Sequence, residues 1–300
     1  MGGITKSEAS VVDPDVPPSQ RIYVTAPVAS SILRALKANK TRVTATLDLN
    51  RTRVVVRIEE GKILVPDGTE LPVEQLQALV RRRGRVFVLS EGELVPVERH
   101  GNYYYKLMAT DNAPTLEISG VKMHRTEGCC PYLLAEEIVR TVVRPGDTVV
   151  DTCGGLGYTA TWSARLGAKR VLSVEHDLDV LEIARLNPWS EEYLFDTRID
   201  VIAENVTAFL ATQPTGVFDA AVHDPPHISR AGELYGKDFY FEMSRVLTAS
   251  GKMYHYVGEP GTRRGKAKGF HEGVAERLDL AGFETEYVKE LVGFVCTKRR

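Results

Sequence analysis

Apolar and polar positions change their pattern near Ser119 of this 300-residue chain. Beyond that point, apolar runs of strand length alternate with amphipathic segments of helix length, which is typical of a parallel sheet covered by helices. The predicted strands are DTVVD, RVLSVE, IDVIAE, FDAAVHD and GKMYHYVG. Two further apolar runs, FETEYVKE and GFVCTKR, are joined by little more than Leu291 and Val292. Because so short a link excludes a helical crossover, these runs predict an antiparallel hairpin that completes a seven-stranded sheet.

The first 120 residues show short strands broken by turn signals instead. The strand segments are TRVTATLDL, RTRVVVRI, KILV, RVFVL, ELVPVE and YYYKLMA. Two helices are expected between them, over residues 27–38 after a Thr25 cap and over residues 72–82. We therefore predict a small β-rich α+β domain over residues 20–120 and an α/β domain over residues 121–300. Residues 1–19 contain several prolines and lack apolar periodicity, so we predict a flexible tail.

Composition narrows the class of protein. The 38 Lys and Arg residues nearly balance the 40 Asp and Glu residues, which excludes a surface that is basic throughout, although a local basic patch is still allowed. The four cysteines include no C-x-x-C spacing, so we predict reduced thiols, no metal site and a cytoplasmic protein. No apolar run reaches about 18 residues, and the first residues, MGGITKSEASVV, lack the basic region and apolar stretch of a signal peptide, so neither membrane spanning nor secretion is expected.

A glycine-rich turn stands between the first predicted strand of the second domain and the next helix. The segment VVDTCGGLGYTA supplies Asp151 at the strand end, followed by Gly154, Gly155 and Gly157. Glycine at such a turn permits positive φ and lets a ligand approach the backbone. Glu175 ends the following strand, where an acid accepts hydrogen bonds from both hydroxyls of a ribose. Together these residues predict a site for an adenosine-containing cofactor.

Two cofactor classes are compatible with that turn. Gly155, Gly157 and Ala160 satisfy the G-x-G-x-x-A form of a dinucleotide fingerprint, which indicates a nicotinamide cofactor. Asp151 opposes that interpretation, because its charge would repel a pyrophosphate but suits the amino group of a methionine moiety. The acid therefore favours S-adenosylmethionine. Asn205, or less favourably Glu204, is placed at a strand end to meet the adenine amino group, with a polar strand-end cap as the alternative.

The fourth strand of the second domain ends in Asp224-Pro225-Pro226-His227. Two prolines restrict the backbone and remove its donors, so the Pro225 carbonyl can serve as a pure acceptor beside the Asp224 carboxylate. Two acceptors can hold both hydrogens of an exocyclic amine and direct its lone pair at an electrophilic methyl group. We predict that Asp224, Pro225 and His227 are catalytic, that His227 stacks on a flat base and that Pro226 contacts the substrate. The preceding histidine, His223, is expected to point into the core.

This order of segments resembles the class I S-adenosylmethionine-dependent methyltransferases over residues 121–300. The Asp-Pro-Pro-His motif is similar to that of amino methyltransferases acting on nucleic-acid bases or protein amides. More closely, GVKMHRTEGCCPY, DTCGGLGYTA, DPPHISRAGELYG and HYVGEPG resemble predicted archaeal-type methyltransferases implicated in N4,N4-dimethylation of cytidine in ribosomal RNA. The resemblance implies cofactor binding by Asp151, Gly155, Gly157, Glu175 and Asn205, and presentation of the amine by Asp224, Pro225 and His227. Cys153 departs from the wider superfamily, which often has its first glycine there.

Two basic segments predict contact with RNA, which we expect to be ribosomal. Arg263 and Arg264, with neighbouring lysines, follow the fifth strand of the second domain near the expected cleft, and are predicted to bind phosphate. In the first domain, the arginine run is Arg81, Arg82, Arg83 and Arg85, and a tyrosine run follows at Tyr103, Tyr104 and Tyr105. Such a combination suits backbone neutralisation with base stacking. A solvated charged face and a buried tyrosine strand are the alternatives.

The resulting hypothesis is a two-domain RNA methyltransferase that transfers the methyl group of S-adenosylmethionine to an exocyclic base amine. A methyltransferase acting on a protein or small-molecule amine would keep the same site. Aminopropyl transfer from decarboxylated S-adenosylmethionine would keep the same layout, since spermidine synthases also have a β-rich domain before a similar sheet. Those enzymes normally have an Asp-rich strand end, whereas this chain has prolines and a histidine. An RNA-binding assembly factor with a vestigial cofactor pocket is the non-enzymatic alternative.

Overall fold

The structure, a computed structural model, describes residues 16–258 and 266–300 of the chain. These residues form two compact units. One takes the chain up to Pro131 together with Arg185–Glu191, and the other takes Tyr132–Ala184 and the chain from Glu192 onward. Residues 1–15 of the predicted tail lie outside the described residues. A short 3-10 helix over Pro18–Gln20 follows them, and Pro18 is buried.

The first unit is built mainly from short antiparallel strands. The strands are β1 (Tyr23–Thr25), β2 (Arg42–Ala45), β3 (Val54–Glu59), β4 (Lys62–Leu64), β5 (Glu70–Leu71), β6 (Val86–Ser90), β7 (Glu93–Pro96), β8 (Glu98–His100), β9 (Tyr104–Met108), β10 (Thr115–Ile118) and β11 (Val121–Lys122). The helices are α1 (Ala26–Lys37) and α2 (Val73–Leu79). The strands form sheets in the orders β1-β6-β7, β2-β3-β4-β5 and β11-β10-β9-β8.

Helix α1 supplies much of the apolar core of this unit. Its buried residues recur at helical spacing, and Ile32 packs in one cluster with Ile63, Leu71 and Leu76. The second helix ends at Leu79, three residues before the predicted end. The chain then turns through the arginine run to Gly84, whose φ of +75° is incompatible with a continuing α-helix.

A segment from the second half of the chain completes the first unit. The indole Nε1 of Trp189 donates to the Leu49 carbonyl at 2.8 Å, and the Arg51 guanidinium donates to the Pro188 carbonyl at 2.5 Å. Arg21 also donates to the Arg185 carbonyl at 3.3 Å. The Arg185–Glu191 segment belongs to the first unit because of such long-range contacts, which the hydrophobic pattern does not reveal.

The second unit alternates helices with strands. Its helices are α3 (Pro131–Val142), α4 (Tyr158–Arg165), α5 (Leu178–Arg185), α6 (Glu191–Phe195), α7 (Val206–Thr212), α8 (Lys237–Val246) and α9 (Lys266–Leu280), with α3, α5 and α6 crossing the unit boundary by one residue. Its strands are β12 (Thr148–Asp151), β13 (Arg170–Val174), β14 (Ile199–Ile202), β15 (Phe218–His223), β16 (Leu247–Tyr256), β17 (Phe283–Val288) and β18 (Gly293–Lys298).

These seven strands form one sheet in the order β14-β13-β12-β15-β16-β18-β17. The first five are parallel, whereas β18 is antiparallel to both β16 and β17. The predicted α/β class, seven-stranded sheet and closing hairpin are therefore confirmed. Val149 and Val150 of β12 are fully buried, as expected for a central parallel strand covered on both faces.

Candidate active site

Three acidic residues lie on neighbouring strands at the carboxyl edge of the large sheet. Asp151 is the last residue of β12 and is in register with Ser173 of β13 and Val222 of β15. Glu175 and Asp224 each follow those register partners by two residues. Ligands of parallel α/β sheets bind beyond this edge. The register therefore brings the predicted cofactor acids and the predicted catalytic acid to one edge of one unit.

Asp151 is completely buried at the strand end. Its Oδ2 accepts hydrogen bonds from the Thr159 hydroxyl at 2.9 Å and the Ser173 hydroxyl at 3.2 Å. Its Oδ1 is buried and makes no hydrogen bond to any described residue. Burial is the main cause that raises the pKa of Asp151 to about 6. The charge of Glu175 raises this pKa further, whereas the hydrogen bonds from the two hydroxyls lower it. A buried carboxylate oxygen without a donor favours binding of a positively charged group.

The glycines of the turn after β12 have two different roles. A Cβ at Gly157, whose φ is +75°, would lie 1.9 Å from the Tyr193 ring, and one at Gly154 would lie 2.6 Å from the Tyr193 hydroxyl. At Gly155, with φ +54°, a Cβ would meet nothing within 4 Å. Gly154 and Gly157 therefore make room for Tyr193, and Gly154 also for Ser173, whereas the space beside the Gly155 Cα is open. The cofactor contacts predicted for all three glycines stay predictions. Tyr193 was not predicted, because no local signal connects it to the turn.

Glu175 is held against the same turn. Its Oε2 accepts the Gly155 N–H at 3.0 Å, and its Oε1 accepts the Asp177 N–H at 2.9 Å. Each carboxylate oxygen keeps further acceptor capacity after one such bond. Burial raises the pKa of this carboxyl. The two backbone donors orient Glu175 so that it can accept the paired hydroxyls of a ribose.

Asn205 lies at the start of α7. Its Oδ1 accepts the backbone N–H groups of Thr207 at 2.9 Å and Ala208 at 3.2 Å, so the side chain is the N-cap of that helix. Asn is among the residues most favoured at this position. The polar strand-end cap that sequence analysis left open is thus present, and the adenine contact of Asn205 stays a prediction.

The proline turn follows β15 directly. Within residues 16–258 and 266–300, no hydrogen bond reaches the Asp224 carboxylate or the Pro225 carbonyl. The Pro226 carbonyl, by contrast, accepts the Tyr235 hydroxyl at 3.1 Å. Asp224 is half-buried, and burial followed by the negative charge of Asp151 raises its pKa to about 7. The turn therefore offers two adjacent acceptors, one of them ionising near neutral pH.

His227 is exposed at the end of this turn. Its Nδ1 accepts the Ser229 backbone N–H at 3.3 Å and lies 2.9 Å from the Ser229 hydroxyl. An Nδ1 that accepts places the proton of the neutral ring on Nε2. The ring is thus held by its own loop at an exposed position.

A buried histidine layer supports the two turns. His223 points into the core as predicted, where its Nε2 donates to the Leu234 carbonyl at 3.0 Å. Its Nδ1 lies 2.7 Å from the Thr152 hydroxyl, and the His255 ring packs against it at 4.6 Å between centroids. Burial lowers the pKa of His223 to about 3, so this ring stays neutral. His223 thereby links the ends of β12 and β15 without titrating in the working pH range.

Cys153 lies within the acidic cluster. Burial, followed by the negative charges of Glu175, Asp151 and Asp224, raises the pKa of its thiol well above the usual value. The thiol is therefore neutral and unreactive as a nucleophile. A small neutral residue replaces the glycine of the wider superfamily here without adding a charge to the site.

The chemistry of these residues fits S-adenosylmethionine. Asp151 Oδ1 is an unpaired buried acceptor for an ammonium group, Gly155 leaves the backbone open, and Glu175 is oriented for a ribose diol. These contacts lie within the second unit. The residues suited to hold the cofactor are therefore Asp151, Gly155 and Glu175.

The residues predicted to contact RNA differ in their exposure. Arg263 and Arg264 lie outside the described residues. Arg81, Arg82 and Arg83 are exposed, while Arg85 pairs with Glu98 at 2.8 Å. Tyr105 is fully buried, and Tyr103 is 54% exposed. Of the basic and aromatic runs, the first three arginines and Tyr103 are thus the accessible members.

Residues 16–258 and 266–300 contain no group of three or more His, Cys, Asp or Glu side chains arranged to hold a metal ion. Among the helices of these same residues, none combines the length and apolarity needed to cross a membrane.

Comparison with known proteins identifies the class of the fold. A crystal structure of spermidine synthase bound to the transition-state analogue AdoDATO superposes with a TM-score of 0.54, covering 67% of this chain and 71% of that chain at 16% identity. The protein-L-isoaspartate O-methyltransferase of Methylorubrum populi is 28% identical over 142 residues, which span 45% of this chain and 59% of that protein. The second unit thus has the fold of class I S-adenosylmethionine-dependent methyltransferases, which spermidine synthase shares.

A full-length relative identifies the family. The uncharacterized protein MJ1233 of Methanocaldococcus jannaschii is 36% identical over 284 residues, covering 93% of this chain and 96% of that protein. The chain therefore belongs to the same family as MJ1233. No protein-family model matches the chain.

Proposed function

We propose that this protein is an S-adenosylmethionine-dependent N-methyltransferase whose acceptor is an exocyclic base amine, with N4 of cytidine in ribosomal RNA as the favoured target. One observation carries the proposal. The Asp224 carboxylate and Pro225 carbonyl are adjacent acceptors without hydrogen-bond donors among the described residues. They follow β15, the neighbour of the strand that ends in Asp151.

This acceptor pair suits an amine rather than a hydroxyl or a carbon acid. An exocyclic NH₂ group donates two hydrogens, and each can be taken by one of these oxygens. Holding both hydrogens orients the nitrogen lone pair and opposes its delocalisation into the base. S-adenosylmethionine, when bound, supplies the electrophilic methyl group. Asp224 and Pro225 therefore act by orienting the nucleophile.

The same carboxylate can complete the proton balance. A nitrogen that has gained a methyl group carries a positive charge, and it becomes neutral by losing one of its hydrogens. Asp224 already accepts one of them, and its pKa of about 7 is suited to a general base at neutral pH. No separate strong base is required.

Two features support a nucleic-acid acceptor. The exposed His227 ring follows the acceptor pair and is suited to stack on a base. In the first unit, the side chains of Arg81, Arg82 and Arg83 are exposed, and no ion pair involves them among the described residues. We propose that these arginines neutralise RNA phosphates. The choice of cytidine in ribosomal RNA rests on the resemblance of the motif segments.

The acceptor can be identified by incubating purified protein with methyl-labelled S-adenosylmethionine and, separately, with total RNA or total protein from a strain lacking the gene. Nucleoside mass spectrometry then identifies the product. Labelled N4-methylated or N4,N4-dimethylated cytidine is the expected result. Label only in protein or small amines would overturn the RNA target, and no transfer with bound cofactor would favour the non-enzymatic alternative.

The cofactor that the protein prefers distinguishes aminopropyl transfer from methyl transfer. Thermal shifts with S-adenosylmethionine and with its decarboxylated form should differ, with the former stabilising the protein more. Preference for the decarboxylated form, together with transfer of an aminopropyl group to a diamine, would replace the methyltransferase proposal.

The arginine role can be tested by a matched pair of triple variants. Replacing Arg81, Arg82 and Arg83 by Ala should weaken RNA binding and reduce its salt dependence, since each lost phosphate contact lowers the slope by about one. The control replaces Arg42, Arg53 and Arg57, which are exposed on the same unit, and removes the same charge. Equal losses in both variants would indicate only a general charge effect.

A further inference from the structure

Between the Cα of Asp224 and the carbonyl of Pro226, the proline turn has one backbone torsion that its own sequence does not restrict. The rings of Pro225 and Pro226 lock φ at both residues. A following proline also confines ψ of the preceding residue, so ψ of Asp224 and of Pro225 is limited to extended values. From ψ of Asp224 to ψ of Pro226, only ψ of Pro226 is left free. That torsion sets the direction of the Pro226 carbonyl and the course of the chain into His227.

Tyr235 holds this remaining torsion. Its hydroxyl donates to the Pro226 carbonyl at 3.1 Å from a ring that is only 3% exposed. The two prolines have no N–H groups, so the turn cannot be held there by a backbone donor of its own. The Tyr235 hydroxyl thus fixes ψ of Pro226 from outside the turn.

The ring that carries this hydroxyl is itself held on several sides. It packs against His255 at 5.3 Å and Phe270 at 5.9 Å between centroids. The Tyr235 carbonyl accepts the Arg277 Nε–H at 2.9 Å. The preceding carbonyl, of Leu234, accepts the His223 Nε2–H at 3.0 Å. The 3-10 helix Gly232–Tyr235 is therefore bonded to the strand end before the turn and to the turn itself.

We propose that Tyr235 is a positioning residue that, through the Pro226 carbonyl, places the His227 ring opposite the acceptor pair formed by Asp224 and Pro225. This inference rests on the proposed function, in which His227 stacks on the acceptor base. Tyr235 does not touch the reacting atoms. Its effect is transmitted through the backbone direction at Pro226.

The test compares two tyrosine-to-phenylalanine variants. Tyr235→Phe deletes the hydroxyl and keeps the ring. Tyr240→Phe is the matched control, because Tyr240 is equally buried and its hydroxyl lies 2.8 Å from His255 Nε2 instead of bonding to the proline turn. We expect Tyr235→Phe to lower kcat on RNA at least tenfold, with the Kd for S-adenosylmethionine within twofold. Tyr240→Phe should lower the melting temperature by a similar amount and leave kcat within twofold.

A double-mutant cycle tests whether Tyr235 acts through His227. If it does, adding Tyr235→Phe to His227→Ala should lower kcat by less than a further twofold. Losses that multiply would overturn the proposal, as would a Tyr240→Phe variant with the same kinetic defect as Tyr235→Phe. If Tyr235→Phe does not fold, Pro226→Ala frees φ while retaining the tyrosine, and should reproduce the loss of kcat with unchanged cofactor affinity.

A spectroscopic measurement separates this inference from the proposed function. In ¹H–¹⁵N spectra of the histidine rings, Tyr235→Phe should shift and broaden the His227 signals, whereas Tyr240→Phe should affect His255. If the wild-type protein methylates no RNA, the proposed function fails, but these spectra still decide whether Tyr235 places His227. Unchanged His227 signals in Tyr235→Phe would overturn the positioning role.

Discussion

The glycine turn after β12 and the proline turn after β15 use opposite backbone chemistry at adjacent strand ends. In the glycine turn, the N–H groups of Gly154 and Gly155 donate to Val174 and Glu175, and positive φ brings the backbone close to its neighbours. In the proline turn there are no N–H groups at Pro225 and Pro226, and acceptors predominate. In one turn the N–H groups hold Val174 and Glu175 in place, whereas the other turn has stiff proline backbone and carbonyl acceptors.

This difference shows how one sheet edge can serve two ligands. The acids beside the glycine turn, Asp151 and Glu175, suit a cofactor that carries an ammonium group and hydroxyls, because these groups donate hydrogen bonds. Acceptor-only proline backbone suits an amine, because an amine donates. The two turns share the histidine layer below them, since His223 contacts Thr152 on one side and precedes Asp224 on the other. Variants that affect one turn but not the other should therefore separate cofactor binding from amine transfer.

The largest expected effect comes from Asp224→Asn. Removing the charged acceptor should lower the rate of methyl transfer by about 10²–10⁴-fold, the range for loss of a positioned acid–base group. The Kd for S-adenosylmethionine should change less than threefold, measured by isothermal titration calorimetry. Asp219→Asn is the control, because Asp219 lies earlier on the same strand and accepts the Thr148 N–H at 2.9 Å. Wild-type turnover in Asp224→Asn would exclude the proposed acceptor site.

Within the glycine turn, Gly157 and Gly155 should respond differently to alanine. At Gly157 the added Cβ overlaps the Tyr193 ring and φ is positive, so we expect a loss of about 2–4 kcal/mol in unfolding free energy. At Gly155 only the positive φ opposes the change, and the expected loss is about 1 kcal/mol. Gly155→Ala should instead weaken cofactor binding. Equal destabilisation in urea unfolding would contradict the two separate roles.

Ionisation of Asp224 should increase activity and decrease the free energy of unfolding. Its pKa of about 7 in the folded protein exceeds the ordinary carboxyl value, so its contribution to stability is fully present below about pH 4 and is lost as the pH rises through 7. The value of kcat/KM should rise over the upper part of this interval, because the ionised form accepts the amine. Asp224→Asn should gain stability on the order of 1–2 kcal/mol at pH 8, allowing for partial exposure, and less at pH 5. A gain of equal size at both pH values would argue against this titration.

The smallest expected effect concerns Asn205. Loss of the N-cap in Asn205→Ala should cost about 1 kcal/mol of unfolding free energy, and Asn205→Ser should restore most of it. The Kd for S-adenosylmethionine distinguishes the two roles of the residue. If Asn205 also binds adenine, both variants lose affinity. Unchanged affinity in both would leave Asn205 as a helix cap alone.

Much of the second unit could be predicted from local pattern. Apolar runs such as VVD at the end of β12 and the short link before β18 are properties of a few consecutive residues, and they determined strand positions and the final hairpin. The first unit was less predictable. The strands β1, β5, β10 and β11 have two to four residues each, too few for a reliable alternation.

The candidate site divides in the same way. The placement of Asp151, Glu175 and Asp224 at one sheet edge could be predicted, because each acid stands at the end of an apolar strand and parallel strands place their ends together. Tyr193 and Tyr235 were missed. Tyr193 packs on glycines more than 35 positions before it. Tyr235 stands nine positions after Pro226 in a segment whose polar pattern does not reveal that its hydroxyl reaches a proline carbonyl.

The sequence by itself determined the periodicity of the sheet, the position of both turns and the identity of their acids, because these depend on neighbouring residues. Only the tertiary structure decided which glycines pack against Tyr193, which acid has a raised pKa and which acceptors have no donor among the described residues. Those properties depend on burial and on side chains distant along the chain. Each of these properties is the combined effect of many packed neighbours, so a pattern of consecutive residues does not reveal it.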